Sequence, residues 1–323
     1  MDTRLVAAIL IVVGLPAFLI GYILLIETLL RPVPERWQGR IRPWLWLAPA
    51  LAFLGFFLVY PTFNTIVLSF QDRFSKAFVG LNNYAYFLSN ADTLVSLRNN
   101  VIWLVLLTAL AVGLGLLIAV LVDRVRYEPA AKSVIFLPLA ISFVGAGIIW
   151  RFVYDYAPPG QPQTGLLNAA VTAVGFQPQT WLQDAPTNTI ALILVAVWIW
   201  TGFCMVILSA ALKGISVELM EAARVDGATE LQVFRGITLP LLLPAIAVVA
   251  TTMVITALKA FDIVYVMTSG NFDTNVIANQ MYKELFTNNQ PGRASAIAVV
   301  LLVLIVPVMI INIRRFREQE AIR

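Results

Sequence analysis

The residues best placed to do chemistry in this chain are charged and lie in one short stretch. Residues 216–235, "SVELMEAARVDGATELQVFR", carry Glu218, Glu221, Arg224, Asp226, Glu230 and Arg235. Their spacing does not gather a catalytic pair, and the chain has no His and a single Cys, Cys204. A His-ligated metal centre, a Ser-His-Asp triad and an internal disulfide are thereby excluded, and no metal or catalytic residue is expected. What the stretch can do is present charge and helix ends to another molecule. Val217–Val225 is a run of good helix formers with Ser216 as N-cap and acidic residues in the first turn. Gly227 breaks it, a second helical piece covers 228–235, and Pro240 suits the first turn of the helix that follows. The small side chains of Ala222 and Ala223 beside Glu221 let a partner approach the backbone. A solvated connecting loop is the plainer reading of the same pattern.

A second set of polar side chains sits inside apolar runs. Residues 197–205, "VWIWTGFCM", offer Trp198, Trp200, Thr201 and Phe203; residues 250–262, "ATTMVITALKAFD", offer Thr251, Thr252, Met253, Thr256, Lys259 and Asp262. Thr252, Thr256 and Lys259 share one helical face. Aromatic faces and hydroxyls are what a sugar ring needs. The plainer readings are that the threonines bond their own backbone and that Lys259 and Asp262 form an interfacial ion pair. Glu27 reads as snorkelling to the interface, and Gly113, Gly115, Gly145 and Gly147 as close helix packing.

The elements that must hold these groups are membrane helices. Of 323 residues, 60% are hydrophobic and 12% charged, against about 45–50% and about 25% for soluble domains. Spans are expected near 5–30, 44–70, 100–122, 133–150, 188–212, 239–258 and 294–313. The net charge of +4 does not point to nucleic acid, because the basic residues flank the spans. Fourteen of the 22 Lys and Arg fall in 31–43, 123–132, 213–238 and 314–323, and the other eight in the alternate loops. The positive-inside rule then puts the N-terminus outside and the C-terminus in the cytoplasm, anchored by Arg314, Arg315 and Arg317, with the charged stretch cytoplasmic. Outside, 155–165 reads as an irregular loop and 78–88 as a short amphipathic helix. No residues form G-x-x-x-x-G-K-[ST], so no P-loop binds ATP here. Ion-coupled secondary transport and a membrane enzyme find no support, since no predicted span carries an acidic residue at its middle.

Glu221-Ala222-Ala223, three residues, Gly227, nine residues, Ile237, one residue and Leu239-Pro240 resemble the EAA signature of ABC importer permeases. "FVGLNNY" at 78–84, Asn99-Asn100 and "AFDIVYVMTSG" at 260–270 are similar to the carbohydrate, maltose-permease-like group. The resemblance implies an all-α membrane protein of about seven helices: a permease core of six over 44–323, with its coupling loop at 213–240, preceded by an extra helix and linker at 1–43. It implies that Glu221, Ala222, Ala223, Asp226 and Gly227 dock on a separate ATPase subunit dimer, which binds ATP and Mg, while this chain binds no cofactor and is no enzyme. It implies a second homologous permease, an extracytoplasmic solute-binding protein and a carbohydrate substrate in a bacterial or archaeal cytoplasmic membrane, with glycerol phosphate or a polyamine as the alternative cargo. Substrate contacts are expected near Trp200, Phe203, Thr252, Met253, Thr256 and Lys259. Ala257 and Ala260 stand where that group's maltose permease has asparagines.

Overall fold

The computed structural model describes residues 3–123 and 125–321, with side chains from Val12 to Arg314 except Leu15 and Arg124. Arg315 and Arg317, expected as anchors, lie outside the described side chains. The chain divides by internal contacts into residues 1–65 and 66–323.

In the first unit, α1 (Thr3–Leu30) and α2 (Glu35–Leu54) are followed by a π-helical turn, Gly55–Val59, that leads into α3 (Tyr60–Leu68). The run Glu35–Leu68 is one continuous apolar helix of 34 residues, so the span expected at 44–70 begins nine residues earlier. Pro43 and Pro49 lie inside it. Glu27 does more than snorkel: its carboxylate pairs with Arg42 at 3.1 Å and accepts from Trp46 Nε1 at 3.2 Å. Tyr22 donates to the Leu45 carbonyl at 2.6 Å. These polar ties join two helices whose other faces are apolar and exposed, as lipid-facing helices are.

The second unit continues with α4 (Asn82–Ser89), α5 (Ala91–Val122), α6 (Glu128–Phe136), α7 (Phe143–Val153), α8 (Leu166–Ala173), α9 (Thr187–Lys213), α10 (Val217–Val225), α11 (Glu230–Val233), α12 (Leu239–Leu258), α13 (Asp262–Thr268), α14 (Ile277–Tyr282) and α15 (Pro291–Ala321). No strand forms among the described residues beyond an isolated bridge between Gln71 and Phe78. Among the described residues, six helices are long and apolar enough to cross a membrane, or seven if a bent pair counts as one. That pair is the span expected at 133–150, which is not one helix: Glu128–Ala140 and Phe143–Val153 meet at 100°. The cause is local. Pro138 lies in a 3₁₀ turn, Ile141 is extended, and the Ser142 hydroxyl caps α7 by accepting from Gly145 N at 3.0 Å.

The most buried helix is α9, packed most extensively on α5. Gly115 makes that contact possible, because a Cβ there would sit 2.5 Å from Cys204 Cβ and 2.9 Å from the Met205 nitrogen. Gly113 faces open space, so it takes no part in the packing expected of it. Two asparagines of α5 reach far across the chain. Asn99 Nδ2 donates to the carbonyls of Asp273 (2.5 Å) and Asn275 (2.8 Å). Asn100 Nδ2 donates to Ala257 O and Leu258 O, each at 3.3 Å, and its Oδ1 accepts from Ile277 N at 2.7 Å. The segment 273–277 and the end of α12 are thus fixed against α5 by side chains rather than by backbone pairing.

Candidate functional site

The charged stretch folds into two helices joined by a tight, fully bonded turn. Ser216 caps α10 by accepting from Leu219 N at 3.4 Å and donates to the Glu218 carboxylate, which lowers the Glu218 pKa from the ordinary Glu range. At the other end Gly227 N donates to Arg224 O and Ala228 N to Ala223 O, both at 3.0 Å. This pair of bonds with Gly227 at φ +89° is a Schellman ending. The Thr229 hydroxyl then accepts from Gln232 N while Gln232 Oε1 accepts from Thr229 N at 2.7 Å, a complete capping box for α11. Thr229-x-x-Gln232 was the sequence signal for this second start, beyond the Gly227 bend alone. A π-helical turn, Phe234–Thr238, carries the chain into α12.

Glu221, Ala222, Asp226 and Gly227 are exposed and Ala223 is half-buried. Val217, Glu221 and Val225 follow at intervals of four, on one face of α10. Val225 is 87% exposed. Behind the stretch, Glu128 of α6 pairs with Lys132 and, at 2.5 Å, with Lys213, the last residue of α9. That tie fixes the end of α9 three residues before α10 begins.

The second candidate site is a cavity of about 380 Å³ walled by α5, α7, α9, α12 and α13. Trp200, Thr256 and Lys259 line it together. Phe203 stands just behind, its ring edge-on to Trp200 at 5.6 Å. Thr252 and Met253 do not line it; Met253 is fully buried between helices. Phe143 of α7 stacks on Trp200 at 6.0 Å, and Phe261 closes another wall. Trp198 turns to another face, edge-on to Trp150 at 5.7 Å. Trp103 of α5 also lines the cavity; its Nε1 is buried with no acceptor among the described residues. Sequence reading missed Trp103 and Phe143, because nothing at either position distinguishes a cavity wall from a packed aromatic.

The threonines donate to their own helix: Thr252 to Val248 O at 3.1 Å, Thr256 to Thr252 O at 2.9 Å, Thr251 to Ala247 O and Thr201 to Val197 O at 2.7 Å. Each hydroxyl keeps lone pairs, so Thr256 can still accept from an occupant. Lys259 and Asp262 both line the cavity but do not pair with each other among the described residues, contrary to the expected ion pair. Asp262 instead begins α13, in its first turn. The site therefore offers aromatic faces, one cation, one anion, a hydroxyl acceptor and an indole donor. It holds no nucleophile–base pair, and no group of His, Cys, Asp or Glu fit to hold a metal is present among the described residues.

Comparison with known proteins decides the class. Residues 93–314 match the family of binding-protein-dependent transport system inner membrane components. The chain belongs to that family. It is a permease subunit of an ABC transporter, a multi-pass inner-membrane transport component and not an enzyme. It is 57% identical over 279 residues to the osmoprotective compounds uptake permease protein GgtC of Synechocystis sp., covering 86% of this chain and 100% of that protein. It is 48% identical over 286 residues to the alpha-glucoside transport system permease protein AglF of Rhizobium meliloti, covering 88% and 85%. Among solved structures, a bacterial alginate ABC transporter in complex with an alginate pentasaccharide-bound periplasmic protein contains a chain that aligns with a TM-score of 0.73 and 22% identity, over 86% of this chain and 96% of that one. At that identity the likeness speaks for the fold.

Proposed function

We propose that this permease carries a carbohydrate of the α-glucoside or oligosaccharide type from an extracytoplasmic solute-binding protein to the cytoplasm by alternating access. A separate ATPase dimer holding ATP and Mg drives the cycle, and a second homologous permease completes the pathway. The exposed face of α10, ending at the Gly227 turn, carries this reading. It is a preformed, acid-rimmed, small-residue surface on the side that the Lys and Arg distribution makes cytoplasmic. There Glu221 pairs with a basic group of the ATPase, and Ala222, Ala223, Asp226 and Gly227 seat the helix. Residues 1–43 are an addition to the transport core.

The cargo assignment is supported by the aromatic cavity and by the alpha-glucoside permease among the relatives. Trp200 supplies a stacking face, Thr256 an acceptor and Lys259 a cationic donor, with Phe203 holding the Trp200 ring. The name of the osmoprotective compounds permease favours a second reading, a small compatible solute. One experiment separates them: reconstituted transporter is offered radiolabelled α-glucoside or a zwitterionic compatible solute, each with the solute-binding protein and internal ATP. Glucoside uptake that competes with unlabelled glucoside supports the first reading. Uptake of the zwitterion alone replaces it with the second.

A further inference from the structure

A polar cavity of about 1010 Å³ lies at the far end of the molecule from the α10 loop. Asp92 and Val95, in the first turns of α5, line it; the opposite end of α5 packs through Leu116 and Val120 against Leu212, Ile215 and Leu242 beneath α10. At its wall is Glu284, a fully buried carboxylate. Its Oε1 accepts from Tyr86 Oη at 3.2 Å and Gln280 Nε2 at 3.1 Å. Its Oε2 is buried and receives no donor among the described residues. Behind Gln280 the amides form a chain. Asn275 Nδ2 donates to Gln280 Oε1 at 2.6 Å, and Asn279 Nδ2 donates to Asn275 Oδ1 at 2.7 Å. Asn279 Oδ1 is again buried without a donor among the described residues.

The network thus ends in two bare acceptors, one of them a carboxylate oxygen. A buried carboxylate left partly unpaired is strongly unfavourable, and a donor that reaches it relieves the penalty. Asp92 and Asp273 add two exposed carboxylates to the lining and Lys283, whose pKa burial lowers, one ammonium; Arg293 lies behind, over the Tyr86 ring at 3.8 Å, and Arg98 faces Asp273 from a neighbouring pocket. The surrounding backbone is held in unusual shapes, with Phe272 at φ +56°, Asp273 at φ +59° and a π-helical turn at Lys283–Thr287. Such features recur at binding sites. The carboxylates are not grouped as metal ligands. A sugar hydroxyl can donate to these carboxylates but leaves their charge in place, whereas an ammonium or guanidinium both donates and neutralises it.

We infer that this cavity is a socket for a basic side chain, Lys or Arg, presented by the extracytoplasmic solute-binding protein, with Glu284 Oε2 as its terminal acceptor. The inference rests on the permease reading and the orientation proposed above, since charge complementarity needs a partner on this face. The test is a titration of ATP hydrolysis with the purified solute-binding protein in proteoliposomes holding the complete transporter. Asp92→Asn with Asp273→Asn, and separately Glu284→Gln, are each expected to raise the half-saturating concentration fivefold or more. In wild type that concentration climbs with added KCl; in the variants the dependence is shallower. The paired asparagine variant changes only exposed side chains, so it reads the socket even where Glu284→Gln lowers the amount of folded protein. An unchanged half-saturation and salt slope in the paired variant overturns the inference. A wild-type transporter deaf to its binding protein overturns the permease reading beneath it, a result distinct from a variant without effect.

Discussion

Arg224 and Glu230 clasp each other across the Gly227 turn, Arg224 Nε to Oε1 at 2.6 Å and its second guanidine nitrogen to Oε2 at 3.2 Å. The side chains are 28% and 69% exposed. A surface pair of that kind contributes at most about 1 kcal/mol, so its value is geometric: it sets the angle between α10 and α11. Gly227 sets the same angle through its backbone, at φ +89° with no neighbour crowding it. Gly227→Ala therefore meets conformational strain of about 1–3 kcal/mol rather than a clash. It is expected to lower uptake while the protein still inserts. Gly227→Pro cannot reach a positive φ and is expected to abolish ATPase co-purification. Full uptake by the proline variant rejects the docking role of the loop.

Glu221 is exposed and hydrogen-bonds nothing within the chain among the described residues. Its replacement is expected to leave thermal unfolding of the detergent-solubilised permease within about 0.5 kcal/mol of wild type. The ATPase interface should respond differently. Glu221→Lys, which opposes a basic group in the partner groove, is expected to weaken co-purification more than Glu221→Ala. Equal co-purification for wild type and both variants means that this face does not bind the ATPase.

Thr256 and Met253 lie three residues apart on α12 but in different surroundings, and they predict different kinetics. Thr256→Val keeps shape and removes an acceptor from the cavity, so the KM for uptake should rise severalfold with little loss of folded protein. Met253→Ala empties a fully buried position, a change of about 2–5 kcal/mol. It is expected to reduce the amount of folded permease and leave KM unchanged. Trp200→Ala, which removes a cavity wall, should behave as Thr256→Val does, and more strongly. A KM that shifts for Met253→Ala and not for Thr256→Val means that substrate passes on the other side of α12.

The contrast between these residues shows what was legible in the sequence. The α10 helix was readable to the residue, Val217–Val225, because its signals are local: a serine cap, helix formers and a glycine stop. The apolar spans were readable in place but not in their starts, the runs Glu35–Leu68 and Ala91–Val122 each beginning nine residues before the apolar stretch, and Pro138 and Ser142 turned another by 100°. The cavity was only half readable. Periodicity puts Thr252, Thr256 and Lys259 on one face, yet only Thr256 and Lys259 reach the cavity, and its other walls are Trp103 and Phe143 from distant helices. Hydropathy also hid Glu284. It lies in a polar stretch that reads as an outer loop, and its partners are Tyr86, 198 residues away, and an amide chain on its own segment.

Asn100 gives the sharpest test of how the core is fixed. Its amide makes three bonds to backbone groups 157–177 residues away: to Ala257 O, to Leu258 O and from Ile277 N. Asn100→Ala leaves those buried groups without their partner, at about 1–3 kcal/mol for each left unpaired. Ala257 O keeps Ala260 N at 3.2 Å, so the loss falls on Leu258 O and Ile277 N and should total about 2 kcal/mol or more. Asn100→Asp keeps an acceptor for Ile277 N but turns a carboxylate oxygen toward the two carbonyls. Repulsion then adds to the lost bonds, and the aspartate variant should unfold at a lower temperature than the alanine variant. A packing-only role predicts the reverse order, since aspartate preserves the shape that alanine loses. Thermal unfolding of the three proteins in one detergent decides between a hydrogen-bonded clamp and a space-filling contact.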